Sequence, residues 1–151
     1  MTGFAKASNV FLDVAVANVD EALEFFADKA IELGVSANRA AVLGAMKARE
    51  AEGTTGMMAG FAIPHGKSTA IGHAAVIVAK FANEVAWSSM DGVPIKVAIA
   101  LLVPDNEAGT TYLRMLSQIA VELMNEEFRN KVLESDDPEA IASLINAGLQ
   151  I

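Results

Sequence analysis

The sequence predicts an α/β fold, a single three-layer domain in which a mixed β-sheet carries helices on both faces. Three observations support this. Residues 74–79 and 94–103 are nearly unbroken apolar runs, the pattern of strands buried on both sides. Segments with apolar residues at helical spacing stand before and after them. The order runs strand, two helices, several strands, then helices, which is not a regular βαβ repeat. At 151 residues, 53% of them hydrophobic and 20% charged, the chain suits one domain over 1–151 with a sizeable core.

The first strand is expected at 10–16, where Val10, Phe11, Leu12, Val14 and Val16 suit a pleated surface. Asn18 or Asp20 caps the helix that follows, with Val19, Ala22, Leu23, Phe26, Ala27 and Ala30 on its buried stripe and Gly34 ending it. Ser36 is expected to cap a second helix running to about Glu50, buried through Ala40, Leu43 and Met46. Arg49 sits in its last turn, where the helix dipole favours a cation. A turn at 52–56 leads through Met57 and Met58 to a segment ending in a histidine. His73 starts the strand at 74–79. A short strand is expected at 85–87, a turn at 90–93, and the strongest strand from Pro94 to Val103, which Pro104 ends. Thr110 opens a helix with the stripe Tyr112, Leu113, Leu116, Ile119, Ala120 and Leu123. A shorter helix covers 126–134, and Asp137-Pro138-Glu139 starts the last one, which ends near Gly148.

Composition excludes several function classes. A formal charge of −8 disfavours nucleic acid and anionic membranes and suits a basic protein partner. With no cysteine there is no disulfide, thiol chemistry or thiolate metal site, which fits a reducing compartment. Gly3, Lys6, Ser8 and Asn9 interrupt the start before any apolar core forms, so no signal peptide is expected. The longest apolar run, 93–103, is broken by Pro94 and Lys96 and is too short to span a bilayer. A cytoplasmic protein with no membrane insertion is the expectation.

Chemistry concentrates at Gly60-Phe61-Ala62-Ile63-Pro64-His65-Gly66-Lys67-Ser68. Pro64 fixes its own φ and pushes Ile63 toward extended backbone, so the chain enters His65 as a strand end. Gly66 lets another group approach the backbone beside the imidazole. Lys67 and Ser68 offer a cation and a hydroxyl to an anion. The ordinary role of such a histidine is a loop residue satisfied by a neighbouring carbonyl, but these surroundings suit a held, solvent-reachable nucleophile. Gly66-Lys67-Ser68 is not the end of a P-loop, because Phe61 stands where the first glycine belongs and Pro64 removes a needed N–H. Two histidines without cysteine cannot form a multi-histidine cage, and no metal is expected. No G-x-S-x-G elbow exists for a serine triad. What remains is histidine as the nucleophile itself, since a neutral imidazole attacks phosphorus near neutral pH. Arg49, Lys67, Ser68 and the N–H groups near Gly66 are the donors available to the phosphoryl oxygens.

Arg49-Glu50, Thr54-Thr55-Gly56 and the Pro64-His65-Gly66 segment, at this spacing, resemble the enzyme IIA domains of the fructose/mannitol class of the sugar phosphotransferase system. The resemblance extends to the strand opened by Asn9, to Trp87 ahead of Met90-Asp91-Gly92, and to the apolar strand at 95–103. It implies that His65 accepts a phosphoryl group from the phosphorylated histidine carrier protein and passes it to a cysteine of enzyme IIB, with Arg49 as the cation beside it. It implies no cofactor, and any association with membrane enzyme IIC runs through IIB. Most members carry a second active-site histidine in a His-Leu pair, and here that pair reads Tyr112-Leu113. A phenol donates a hydrogen bond but is not a cation at neutral pH. Gly66, Lys67, Ser68 and Tyr112 are the expected neighbours of the phosphate, and Phe61 and Ile63 the expected apolar docking residues. The resemblance also admits a regulatory, nitrogen-type domain whose binding is switched by phosphorylation of His65.

Overall fold

Alternation along two central strands decides the layering. The computed structural model describes residues 4–107, 109 and 112–149. In β5 (Ile95–Pro104), Ala98, Ala100 and Leu102 face one layer, and Val97, Ile99, Leu101 and Val103 face the other. The first layer is α1 (Val19–Glu32) and α2 (Arg39–Glu52), packed through Leu23, Phe26, Val42 and Met46. The second is α3 (Leu113–Leu123), α4 (Glu126–Glu134) and α5 (Pro138–Gly148), packed through Met115, Ile119, Phe128 and Ile141. Burial of both strand faces explains why the sequence shows runs rather than alternation there.

The sheet is mixed, as expected. β1 (Val10–Val14) pairs parallel with β4 (Ala75–Val85), and β4 pairs antiparallel with β5. The other edge of β5 takes β2 (Phe61–Ala62) and β3 (His65–Ser68), both parallel. Phe61 pairs with Val97 and His65 with Leu101, the same offset on either side of Ile63-Pro64. They are one strand interrupted and resumed in register, so His65 opens a strand segment as well as following one.

Asn18 and Asp137 cap their helices as expected, through side-chain bonds to Glu21 N and Glu139 N. Other expectations need correction. Asn38, not Ser36, caps α2 by accepting from Ala41 N, while the Ser36 hydroxyl accepts from Asn38 N one turn earlier. The buried stripe of α2 is accordingly Val42 and Met46, and Ala40 is exposed. The separate short strand expected at 85–87 does not form: Val85 is the last residue of β4, reached across a register shift after Lys80, Ala86 makes only an isolated bridge to Asn18, and Trp87 lies beyond the strand. In α3 the buried residues are Met115, Ile119 and Leu123, and Leu113 points outward. Thr110, the expected helix start, lies outside the described residues.

A tight hairpin leads into the histidine segment. Met57 N donates to Phe61 O at 2.7 Å, Phe61 N to Met58 O at 3.2 Å, and Ile63 N to Thr55 O at 3.0 Å. Its central residues Ala59 and Gly60 have φ of 56° and 86°, the left-handed pair of a type I′ turn. Gly60 takes this conformation freely, whereas Ala59 is strained there. The Asp91 carboxylate holds the turn by accepting from Ala59 N at 2.9 Å. Ala59→Asn, which creates the favoured Asn-Gly turn, is expected to raise stability by about 0.5–1 kcal/mol in denaturant unfolding. A loss of stability would contradict the strain assigned to Ala59.

Candidate active site

Pro64 has no N–H to give the sheet, so the ladder to β5 breaks where it stands. Its carbonyl still accepts from Leu101 N at 2.9 Å, and β3 resumes with His65. The Ile63 carbonyl meanwhile lies 2.8 Å from Nδ1 of His65. A carbonyl oxygen only accepts, so Nδ1 carries the proton and the lone pair of the neutral ring is on Nε2. His65 is only 4% exposed. Burial, aided by the Arg49 charge, pushes its pKa below the ordinary 6.5, against the Ile63 carbonyl and the charges of Glu50 and Glu52. The ring is therefore neutral at pH 7.

β3 is an edge strand, and the two helical layers meet around it. A cleft of about 300 Å³ is lined by Ala45, Ala48, Arg49, Glu52, His65, Gly66, Lys67 and Tyr112. Ala45, Ala48, Arg49 and Glu52 follow helical spacing along one face of α2, the small alanines leaving the room. That spacing was the available signal for Glu52 and the alanines, which sequence reasoning missed. Gly66 lets α2 come close: a Cβ there would lie 3.1 Å from Cγ of Met46 and 3.3 Å from its backbone nitrogen. The group that approaches the backbone beside the imidazole is thus a helix.

Arg49 lines the cleft and donates from Nη1 to Gly53 O at 2.7 Å, so it also closes the C-terminal turn of α2. Tyr112 enters from the layer of α3, its ring centroid 5.5 Å from that of His65 at a 54° tilt. Half-buried, its phenol is pushed above the ordinary 10.0 by desolvation, with the Arg49 charge pulling the other way. It stays a neutral donor at pH 7. Nζ of Lys67 stands 5.9 Å from the Tyr112 ring centroid, at the margin of a cation–π contact. Ser68 is not brought into the cleft, and its hydroxyl accepts from Ala70 N at 3.0 Å in a turn. His73 lies apart, in a separate pocket with Lys6 and Asn9. Phe61 and Ile63 are buried and cannot dock a partner, while Leu113, beside Tyr112, is 58% exposed. Among the described residues no cluster of acidic or histidine side chains could hold a metal, and no helix is long and apolar enough to cross a membrane.

The fold and the comparisons together define a class, a phosphotransferase component of the α/β type. Over residues 4–148 the chain matches the family described as phosphoenolpyruvate-dependent sugar phosphotransferase system, EIIA 2, and it belongs to that family. It is 33% identical over 136 residues to the fructose-specific EIIA component of Haloferax volcanii, covering 90% of this chain and 88% of that one. It is 35% identical over 125 residues to a nitrogen regulatory protein of Bradyrhizobium diazoefficiens, covering 83% and 80%. The crystal structure of the nitrogen regulatory protein IIA-Ntr from Neisseria meningitidis superposes with a TM-score of 0.86 at 27% identity, covering 94% of this chain and 96% of that one. Other relatives are longer, and the chain spans 22% of a mannosylglycerate-specific EIIABC component of Escherichia coli.

The buried, carbonyl-tethered imidazole gives a prediction. Followed by NMR, His65 should titrate with a midpoint below 6.5, staying neutral where an exposed histidine is half charged. The unfolded chain then binds the extra proton first, so stability should fall as pH drops below about 6.5. A midpoint above 6.5 would contradict the dominance of burial.

Proposed function

We propose that His65 is the phosphorylated residue of a phosphocarrier for sugar uptake of the fructose/mannitol type. The observation that carries this reading is the neutral imidazole, its proton held on Nδ1, in a small cleft with Arg49. In the step we propose, the Nε2 lone pair attacks the phosphorus of a phosphohistidine on the histidine carrier protein. The new N–P bond forms as the donor's N–P bond breaks, and that electron pair returns to the donor ring. Transfer onward to a cysteine thiolate of enzyme IIB reverses the roles. Arg49 supplies a charge-assisted hydrogen bond to the phosphoryl oxygens, and Tyr112 and Lys67 supply a neutral and a charged donor. The fructose-specific relative from Haloferax volcanii supports the substrate class.

A second reading rests on the two nitrogen regulatory relatives. In it, phosphorylation of His65 switches binding to another protein instead of feeding a IIB cysteine. Loss of label from the phosphoprotein on mixing with a fructose-type IIB supports the carrier; a partner that binds only one phosphorylation state, with no such transfer, supports the switch.

Incubation with the phosphorylated carrier, followed by mapping of the acid-labile phosphate, tests the assignment. His65→Ala should abolish labelling and His73→Ala should leave it intact. Label persisting in the His65 variant would overturn the reading.

Tyr112→Phe tests the phenol while keeping the ring. A hydrogen bond to a charged oxygen is worth about 1.5–3 kcal/mol, so transfer should slow by roughly ten- to a hundredfold. An unchanged rate would leave Tyr112 as packing for the imidazole.

A further inference from the structure

Arg49 has a part in this chemistry, but its neighbour Glu50 has none so far. Its carboxylate gathers three donors from two residues, Thr55 five positions along the chain and Trp87 thirty-seven. Oε2 accepts from the Thr55 backbone N–H at 2.8 Å and from the Trp87 indole N–H at 3.2 Å, and Oε1 accepts from the Thr55 hydroxyl at 2.6 Å. Thr55 is 4% exposed, and Trp87 is buried just beyond the end of β4.

The bonds continue toward the imidazole. The Thr55 carbonyl accepts from Ile63 N at 3.0 Å, and the Ile63 carbonyl accepts the His65 Nδ1–H at 2.8 Å. The residues flanking Thr55 lock it from outside. Thr54 donates its hydroxyl to Ser88 O at 2.5 Å and accepts from Gly56 N at 3.0 Å. Gly56 lies so close to this segment that a Cβ on it would sit 2.0 Å from Ser88 O. Thr54-Thr55-Gly56 and Trp87 are thus the two pieces that Glu50 joins, one residue along α2 from the cleft-lining Arg49.

We propose that Glu50 is a positioning residue: through Thr55 and Ile63 it fixes the imidazole relative to Arg49 and keeps the proton of His65 on Nδ1. The kinetic consequence rests on His65 being the phosphorylated residue; the tautomeric consequence does not. Phosphoryl transfer depends on in-line placement, and a displacement of about 1 Å costs on the order of a hundredfold in rate. A carbonyl that drifts from Nδ1 also frees the proton to sit on Nε2, which removes the nucleophile.

Glutamine at 50 separates bonding from charge. Its carbonyl oxygen accepts from both N–H donors, and its amide donates to the Thr55 hydroxyl, which reverses its role. Alanine leaves all three donors without a partner. The double variant Thr55→Val with Trp87→Phe removes two of the three bonds, keeping shape at 55 and an aromatic ring, though a smaller one, at 87, and it serves if Glu50→Ala does not fold.

The test reads two quantities on each folded variant: the long-range ¹H–¹⁵N spectrum of His65 before phosphorylation, and the labelling rate with phosphorylated carrier. We expect the parent and Glu50→Gln to share the Nδ1–H tautomer, with rates within about threefold. Glu50→Ala should show mixed tautomers and label about tenfold slower or worse, and the double variant should move the same way. A folded Glu50→Ala or double variant with the parent's tautomer and rate would overturn the proposal. So would Glu50→Gln as impaired as Glu50→Ala, since charge and not bonding would then be at work. A parent that takes no label on His65 would remove the carrier reading alone, and the tautomer comparison would still decide the role of Glu50.

Discussion

The hydrogen bond from His65 Nδ1 to the Ile63 carbonyl is the interaction on which the site depends. It joins residues two apart across Pro64, where the pairing with β5 is interrupted: the Pro64 carbonyl accepts from Leu101 N, and the Ile63 carbonyl, turned the other way, is left for the imidazole. Pro64 makes the interruption, and the shared register of β2 and β3 against β5 confines it to one place. The bond also merges two roles that look opposed in a sequence. A histidine satisfied by a nearby carbonyl is the ordinary fate of a buried imidazole, yet the same bond leaves its other nitrogen with the lone pair. Structural satisfaction and nucleophilic readiness are one arrangement here.

The cleft around that ring is electrostatically uneven. Arg49 and Lys67 bring positive charge, Glu52 brings negative charge, and Tyr112 brings a phenol that remains neutral. On the proposed reading an arriving phosphoryl group meets one imidazole and a neutral phenol, and no second imidazole among the described residues lining the cleft. The protein as a whole carries −8, so attraction for a basic partner comes from the surface at large rather than from the cleft. Salt weakens such long-range attraction more than it weakens the close contacts inside the cleft.

Much of this was legible in the sequence, and each failure has a physical cause. The buried strands β4 and β5 announce themselves by apolar runs, and α5 by Asp137-Pro138, because these signals are local. His65, Arg49 and Tyr112, singled out by motif spacing, do line one cleft. The cap of α2 was misplaced because Ser36 and Asn38 are both good caps, and only tertiary context chooses which oxygen meets the free N–H of Ala41. Phe61 and Ile63 looked available for docking because their strand flanks the histidine, but α3 and its neighbours cover that face. The inward role of Glu50 was invisible, since its Trp87 partner lies 37 residues away. A sequence shows which residues repeat at a spacing, not which distant donors converge on one carboxylate.

The most direct test of the account is the identity of the phosphorylated nitrogen. In the ¹⁵N-labelled phosphoprotein, one-bond ¹⁵N–³¹P coupling reports which imidazole nitrogen bears the phosphoryl group. With Nδ1 held by the Ile63 carbonyl, the account predicts coupling to Nε2 of His65 alone. Coupling to Nδ1 would mean that the tether does not govern the chemistry, and would contradict the account at its centre.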